Sequence, residues 1–312
     1  MKCFYVMTFM AVMLSCAGQQ KEKEEEKAVV TPVFEQVSIP SMITDPQERA
    51  SYYVQHYWDK FDFSDTTYIH YPAVTEQAFV DYVNLMNHAL PQVVASSIKN
   101  MLKKAEVDRL VYTYFTGLYE KYLYDPNSPL RNEEFYISAL EAILASPLTD
   151  ETQRIRPAYL LELALKNRVG EKANNLTYTL ADGQKKTLYS LTCEWLVLYF
   201  YNPDCEACRE LTTLLKESPV IKSLQQKKQL QIVAIYPDED LTAWKNHLSE
   251  MPTDWINGYD QTQTLKNDEV YDLKAIPTLY LLNKEKKVLL KDPVFGHMAD
   301  YLYSLQTTLS SF

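Results

Sequence analysis

From about Asp45 to Asn167, apolar residues return every three or four positions, the period of an amphipathic helix. In "DPQERASYYVQHYWDKF" the residues Tyr53, Tyr57 and Phe61, with Val54 and Trp58, repeat at that spacing. Asp45 stands where a helix is capped, and Pro46 fits the first turn. "TEQAFVDYVNLMNHAL" puts Phe79, Val83 and Met86 on one face of a helix that starts at Thr75 and ends before Pro91. "VVASSIKNMLKKA" and "EVDRLVYTYFTGLYEKYLY" keep the rhythm, and "DPNSPLRN" breaks it with Pro126 and Pro129. "EEFYISALEAILAS" and "PAYLLELALKN" bring the total to about six helices, which must pack on one another. No fixed repeat marks a solenoid.

The pattern changes near Val169. "NLTYTLADGQKKTLYSL" reads as two strands around an Asp182-Gly183 turn. "EWLVLYFYN" is a continuous apolar run of strand length, as a buried parallel strand requires. "CEACRELTTLLKES" is a helix with Leu211, Leu214 and Leu215 expected to face inward. "LQIVAIYPD" is a second buried strand, "LTAWKNHLSE" a helix, and "TLYLLN" and "KKVLLKD" two further strands before a last helix. Strand, helix, strand, helix, strand, strand, helix is an α/β plan with a mixed sheet.

Composition adds two constraints. A chain of 312 residues is too long for one ordinary core, and its 6 Gly against 24 Tyr favour a helix-rich fold. A net charge of −10 without a cluster of Lys and Arg argues against a nucleic-acid partner. The opening "MKCFYVMTFMAVMLSCAGQQ" carries Lys2, a short apolar stretch Phe4 to Leu14, and then Ser15-Cys16. It reads as a targeting segment, too short to span a bilayer comfortably. Apolar, apolar, small, Cys resembles the bacterial lipobox, in which the cysteine becomes the lipid-carrying N-terminus. That resemblance implies acylation of Cys16 and a two-chain membrane anchor; an ordinary secretory signal is the plain alternative. "GQQKEKEEEKAVVTP" is charged and without apolar period, hence a tether. Such an acidic stretch also resembles the surface-export signals of some Gram-negative lipoproteins. The expected divisions are 1–15 signal peptide, 16–42 tether, 43–170 helical domain and 171–312 α/β domain.

Of five cysteines, only Cys193, Cys205 and Cys208 then remain in the folded part, so disulfides are not a scaffold here. Cys205 and Cys208 straddle the end of a strand and the first turn of a helix. There, free N–H groups and the helix dipole favour a thiolate. One sulfur can attack and the other resolve a mixed disulfide. Zinc is a rival reading, but structural zinc wants four ligands and there is no second Cys pair. The five histidines show no ligand spacing. Copper held by the pair alone is a second rival to redox chemistry, and an inert disulfide is a third. Cys193 reads as a small buried residue, with a resolving or regulatory role as the alternative.

With these residues in place, the stretch from about Asn174 to Phe312 resembles the thioredoxin-like superfamily, in its exported thiol–disulfide reductase form. The resemblance rests on the hairpin "DGQKKTLYSL", the strand, the Cys-x-x-Cys helix, and "AIPTLYLLNKEKKV", which matches the family's cis-proline segment at Ile276-Pro277. It implies an α/β thioredoxin-like domain with a mixed central sheet flanked by helices, Cys205 as nucleophile, Cys208 as resolving thiol, and Ile276 and Pro277 as a substrate platform. It also implies exported protein thiols and disulfides as partners, an unidentified electron donor, and no cofactor or metal beyond the redox-active disulfide. The helical half resembles a domain of unknown function that precedes such domains in Gram-negative envelope lipoproteins. The chain departs from the pattern around the first cysteine. Asp204 stands where an apolar residue is usual and Glu206 lies between the cysteines; both oppose the thiolate, while Arg209 favours it. Tyr199 occupies the place of the family's buried acid. These changes point to a sluggish or reducing-poised site and away from a strong oxidant. A peroxide-reducing branch is disfavoured by Tyr201-Asn202-Pro203-Asp204 before Cys205. The resulting expectation is a lipid-anchored thiol–disulfide oxidoreductase of a Gram-negative cell envelope, facing the periplasm or the surface. The alternative is a non-catalytic binding or scaffold lipoprotein whose helical domain does the recognition.

Overall fold

The computed structural model describes residues 33–310, with side chains up to 307. The expected signal peptide, Cys16 and most of the tether lie outside the described residues. Among the described residues no helix is long and apolar enough to cross a membrane.

Six α-helices come first: α1 (Pro46–His56), α2 (Pro72–Met86), α3 (Pro91–Ala105), α4 (Arg109–Tyr119), α5 (Glu133–Ala145) and α6 (Glu151–Leu165). The Asp45 carboxylate accepts the Glu48 N–H at 2.9 Å, as its position before Pro46 predicts. Two starts differ from expectation. Helix α2 begins at Pro72, not Thr75, whose hydroxyl donates to the Tyr68 carbonyl at 2.8 Å inside the fold. Helix α6 begins six residues before Pro157, because Asp150 and Gln153 cap each other's backbone N–H groups. The tyrosines fill the helical core: Tyr57, Tyr82, Tyr112, Tyr119 and Tyr136 are all buried with Trp58 and Phe115. Trp58 meets Phe61 and Phe115 edge-on at 5.3 Å, the arrangement ring quadrupoles favour.

The second half is a mixed seven-stranded sheet in the order β2-β1-β5-β4-β3-β6-β7. Its strands are β1 (Thr177–Leu180), β2 (Lys185–Thr187), β3 (Trp195–Phe200), β4 (Leu230–Tyr236), β5 (Ile256–Tyr259), β6 (Thr278–Asn283) and β7 (Val288–Lys291). Central β3 runs parallel to β4 and antiparallel to β6. Every residue of β3 is buried, which explains its unbroken apolar run. Trp195, Val197 and Tyr199 point to one face, under α7 (Glu206–Glu217), α8 (Pro219–Gln226), α9 (Leu241–His247) and α11 (Phe295–Ser310). Leu196, Leu198 and Phe200 point to the other, where Leu188, Leu265 and Tyr271 cover them. A short α10 (Thr264–Asn267) lies in that cover.

Leu214 is exposed, against expectation. Cys208, Leu211, Thr212 and Leu215 form the inward stripe of α7, and Leu214 falls outside it. Strand β5 is an element that the sequence pattern did not predict. "INGY" is short and holds Asn257 and Gly258, both poor strand formers. Gly258 is there for space: a Cβ would stand 2.7 Å from the Tyr178 ring.

The two halves meet through a buried ion cluster. Glu133, the first residue of α5, pairs with Lys274 and Lys291 from the sheet domain. Lys274 also lies 3.2 Å from Asp272, and Arg131 lies 3.2 Å from Asp292. The Asn167 amide donates to the Val270 carbonyl at 2.8 Å.

Candidate active site

The β3 strand ends at Phe200, and the chain turns through Asn202, buried Pro203 and Asp204 before α7 begins. Cys205 is the N-cap of α7, with extended backbone, and its Sγ accepts the Cys208 N–H at 3.1 Å. The sulfur therefore takes the place that a Ser or Asp oxygen holds at other helix starts. A thiolate there gains both that hydrogen bond and the dipole of α7. Cys205 and Cys208 are disulfide-bonded, with Cα atoms 5.2 Å apart. Cys205 is partly exposed, whereas Cys208 is buried at 2%. The Cys205 Sγ also lies 3.7 Å from the Ile276 carbonyl oxygen, across a sequence gap of 71 residues. The Ile276-Pro277 peptide is cis. Among the described residues, the Ile276 N–H has no main-chain partner, since β6 starts only at Thr278.

Around the pair, Asp204 and Glu206 are exposed, as is Arg209. The Arg209 guanidinium donates to the Pro203 carbonyl at 3.4 Å and so ties the turn to the first turn of α7. Tyr199 is fully buried beneath the pair. Its hydroxyl lies 2.8 Å from the Cys208 carbonyl, to which it donates, and 3.0 Å from the Thr212 hydroxyl. Burial pushes the phenol up to about 12, so it is no base at neutral pH. Cys193 is the free cysteine of the folded part. It is buried among the residues of the opposite sheet face, and that burial raises its pKa. It stands apart from Cys205 and Cys208, which pack on the α7 face.

Two features of the site are not foreseen from the sequence. Asn202 donates from its amide to the Asp238 carboxylate at 2.6 Å, joining the cysteine turn to the loop after β4. Lys274, three residues before Pro277, is anchored by Glu133 of the helical half. Neither has a local sequence signature, because each partner is distant along the chain.

Known proteins agree with this geometry. Residues 15–167 match a family described as a domain of unknown function (DUF5106), and residues 194–288 match one described as thioredoxin-like. The chain is 50% identical to a thioredoxin-like protein from Bacteroides caccae whose structure is solved. The two superpose with a TM-score of 0.85, over 88% of this chain and 99% of that one. This chain belongs to the thioredoxin-like proteins. A helical DUF5106 region precedes its thioredoxin-like domain. The C-terminal domain of an uncharacterised protein from Bacteroides fragilis shares 49% identity with this thioredoxin-like protein, over 44% of this chain and 98% of that one, with a TM-score of 0.43. Nucleoredoxin of Bos taurus is 30% identical over 110 residues, which are 35% of this chain and 25% of that protein. This thioredoxin-like protein thus spans about a quarter of the length of the curated relatives it matches.

Proposed function

We propose that this thioredoxin-like protein is a thiol–disulfide oxidoreductase that acts as a reductase on exported polypeptides. One observation carries the reading: the partly exposed Cys205 sulfur sits on the N-terminus of α7, bonded to buried Cys208 and 3.7 Å from the Ile276 carbonyl. In the reduced protein, Cys205 attacks one sulfur of a substrate disulfide as thiolate. A mixed disulfide forms and the other substrate sulfur leaves as thiolate. Cys208 then attacks the Cys205 sulfur, restores the internal disulfide and releases the second substrate thiol. Two electrons pass to the substrate, and a dithiol donor must return them. Ile276 offers its main-chain edge to an extended substrate segment beside the sulfur. The exposed carboxylates of Asp204 and Glu206 disfavour the Cys205 thiolate and so support the reducing direction. Acylation of Cys16 would hold the protein on a Gram-negative envelope membrane, facing the periplasm or the surface, where exported thiols are met.

The deciding experiment uses two variants. Cys205→Ser should abolish disulfide reduction, and Cys208→Ser should accumulate mixed disulfides that can be isolated under non-reducing conditions. Capture by Cys205→Ser and none by Cys208→Ser would reverse the roles. The second reading, a binding scaffold, draws on Tyr199: a phenol bonded to the Cys208 carbonyl replaces the family's proton acceptor. Absence of turnover by the wild-type protein with every disulfide offered would favour it.

A further inference from the structure

A cleft of 370 Å³ opens between the two halves of the molecule and ends at Ile276. Its far wall belongs to the helical domain: Tyr124 after α4, and Tyr159 and Leu163 of α6. Its near wall is Leu273 and Ile276, with Asp238 at the edge. Two of these residues connect it to the cysteines. The Ile276 carbonyl lies 3.7 Å from the Cys205 sulfur, and Asp238 accepts a hydrogen bond from Asn202 in the cysteine turn.

The cations within the cleft are already engaged. Lys274 is held by Glu133 and Asp272, and Lys266 pairs with Glu239 at 2.8 Å. Glu269 accepts the Tyr159 hydroxyl. Aromatic and aliphatic surface is left, together with the main-chain edge at Ile276. Among the described residues, an anionic small molecule finds no free cation there. An extended polypeptide finds a main-chain edge and an apolar recess beside it. Tyr159 is 45% exposed, a large side chain left at the mouth of this recess.

Resting on the reductase reading above, we propose that the cleft seats the substrate polypeptide next to its reacting cysteine, and that Tyr159 and Tyr124 of the helical domain select a large apolar side chain there. The helical domain is thereby a specificity element of the reaction. A segment whose cysteine reaches Cys205 must pass Ile276, and the recess lies on the helical side of that path.

The test uses the full chain and two disulfide-linked peptides that differ only in the residues flanking cysteine, Phe in one and Ser in the other. Wild-type kcat/KM should favour the Phe peptide by about tenfold, the scale on which an apolar pocket discriminates. Tyr159→Ala should bring that ratio near one, chiefly through KM, and Tyr159→Phe should keep it. A wild-type ratio near one, or a ratio unmoved in Tyr159→Ala, overturns the proposal. Should the wild-type protein reduce neither peptide, the same sequences with Ser in place of Cys are titrated by calorimetry. A preference in Kd for the Phe peptide that Tyr159→Ala abolishes keeps the cleft and rejects the reductase reading. No preference rejects the cleft.

Discussion

At the scale of single residues, the site is set by what surrounds one sulfur. The Cys208 N–H and the α7 dipole favour the Cys205 thiolate; Asp204 and Glu206 work against it. Both carboxylates face solvent, so screening limits their effect. Replacing both, Asp204→Asn with Glu206→Gln, should lower the Cys205 pKa by a fraction of a unit up to about one unit. The disulfide should become more oxidising, because a better thiolate stabilises the reduced form. Alkylation rates across pH would show the change; an unmoved or raised pKa would mean the acids serve a partner and not the sulfur. A second residue-scale effect lies at the interface. Burial raises the Asp292 carboxyl to about 6, with Glu133 and Asp272 adding to it and Arg131 and Lys274 opposing it. A folded pKa above the unfolded value near 4 means that the proton binds the folded state more tightly. Its contribution is complete below about pH 4 and is lost as pH rises through about 6. Stability should therefore increase by about 1 kcal/mol on going from pH 7 to 5. Asp292→Asn should flatten that slope in urea unfolding, and an unchanged slope would assign it to another group.

At the scale of elements, the strongly patterned segments were legible. The β3 run, the Cys-x-x-Cys helix, the Asp182-Gly183 hairpin and the Asp45 cap all follow from local chemistry. The cysteine pair and the Ile276-Pro277 segment could be named from sequence because their types and spacing are distinctive. What was not legible depends on distant partners or on competing local signals. Strand β5 exists because β4 and β1 flank it, not because "INGY" favours extension. Pro157 looks like the beginning of α6, whereas the Asp150–Gln153 cap sets the true one. Asn202–Asp238 and Lys274–Glu133 join residues far apart in the chain. Gly258 gives this scale its test. A methyl group there would press on the Tyr178 ring and stand 3.3 Å from the Thr179 carbonyl oxygen. Gly258→Ala should cost about 1–3 kcal/mol of stability by overpacking. Thermal unfolding measures it, and a variant as stable as wild type would show that the β1–β5 pairing relaxes freely.

At the scale of the molecule, the two halves are joined by charges that have left water. The Lys274 and Lys291 side chains are 8% and 6% exposed, and Glu133 serves both. Burial works against the Lys274 charge, but Glu133 and Asp272 outweigh it and raise its pKa. Removing one partner of such a group leaves an uncompensated buried charge, which costs about 3–5 kcal/mol. Glu133→Gln should therefore weaken docking of the halves and split a single calorimetric unfolding transition into two. One transition at the wild-type temperature would show that apolar contact alone holds the halves together. The same burial makes these two lysines a natural record of the molecule's state. An amine-acylating reagent should mark Lys185 and Lys186 on the exposed edge strand at once, yet pass over Lys274 and Lys291 for as long as the halves stay closed. The fraction of chains acylated at Lys274, read by mass spectrometry after a short pulse, is then a direct count of how often the helical domain lets go of the loop that carries Ile276.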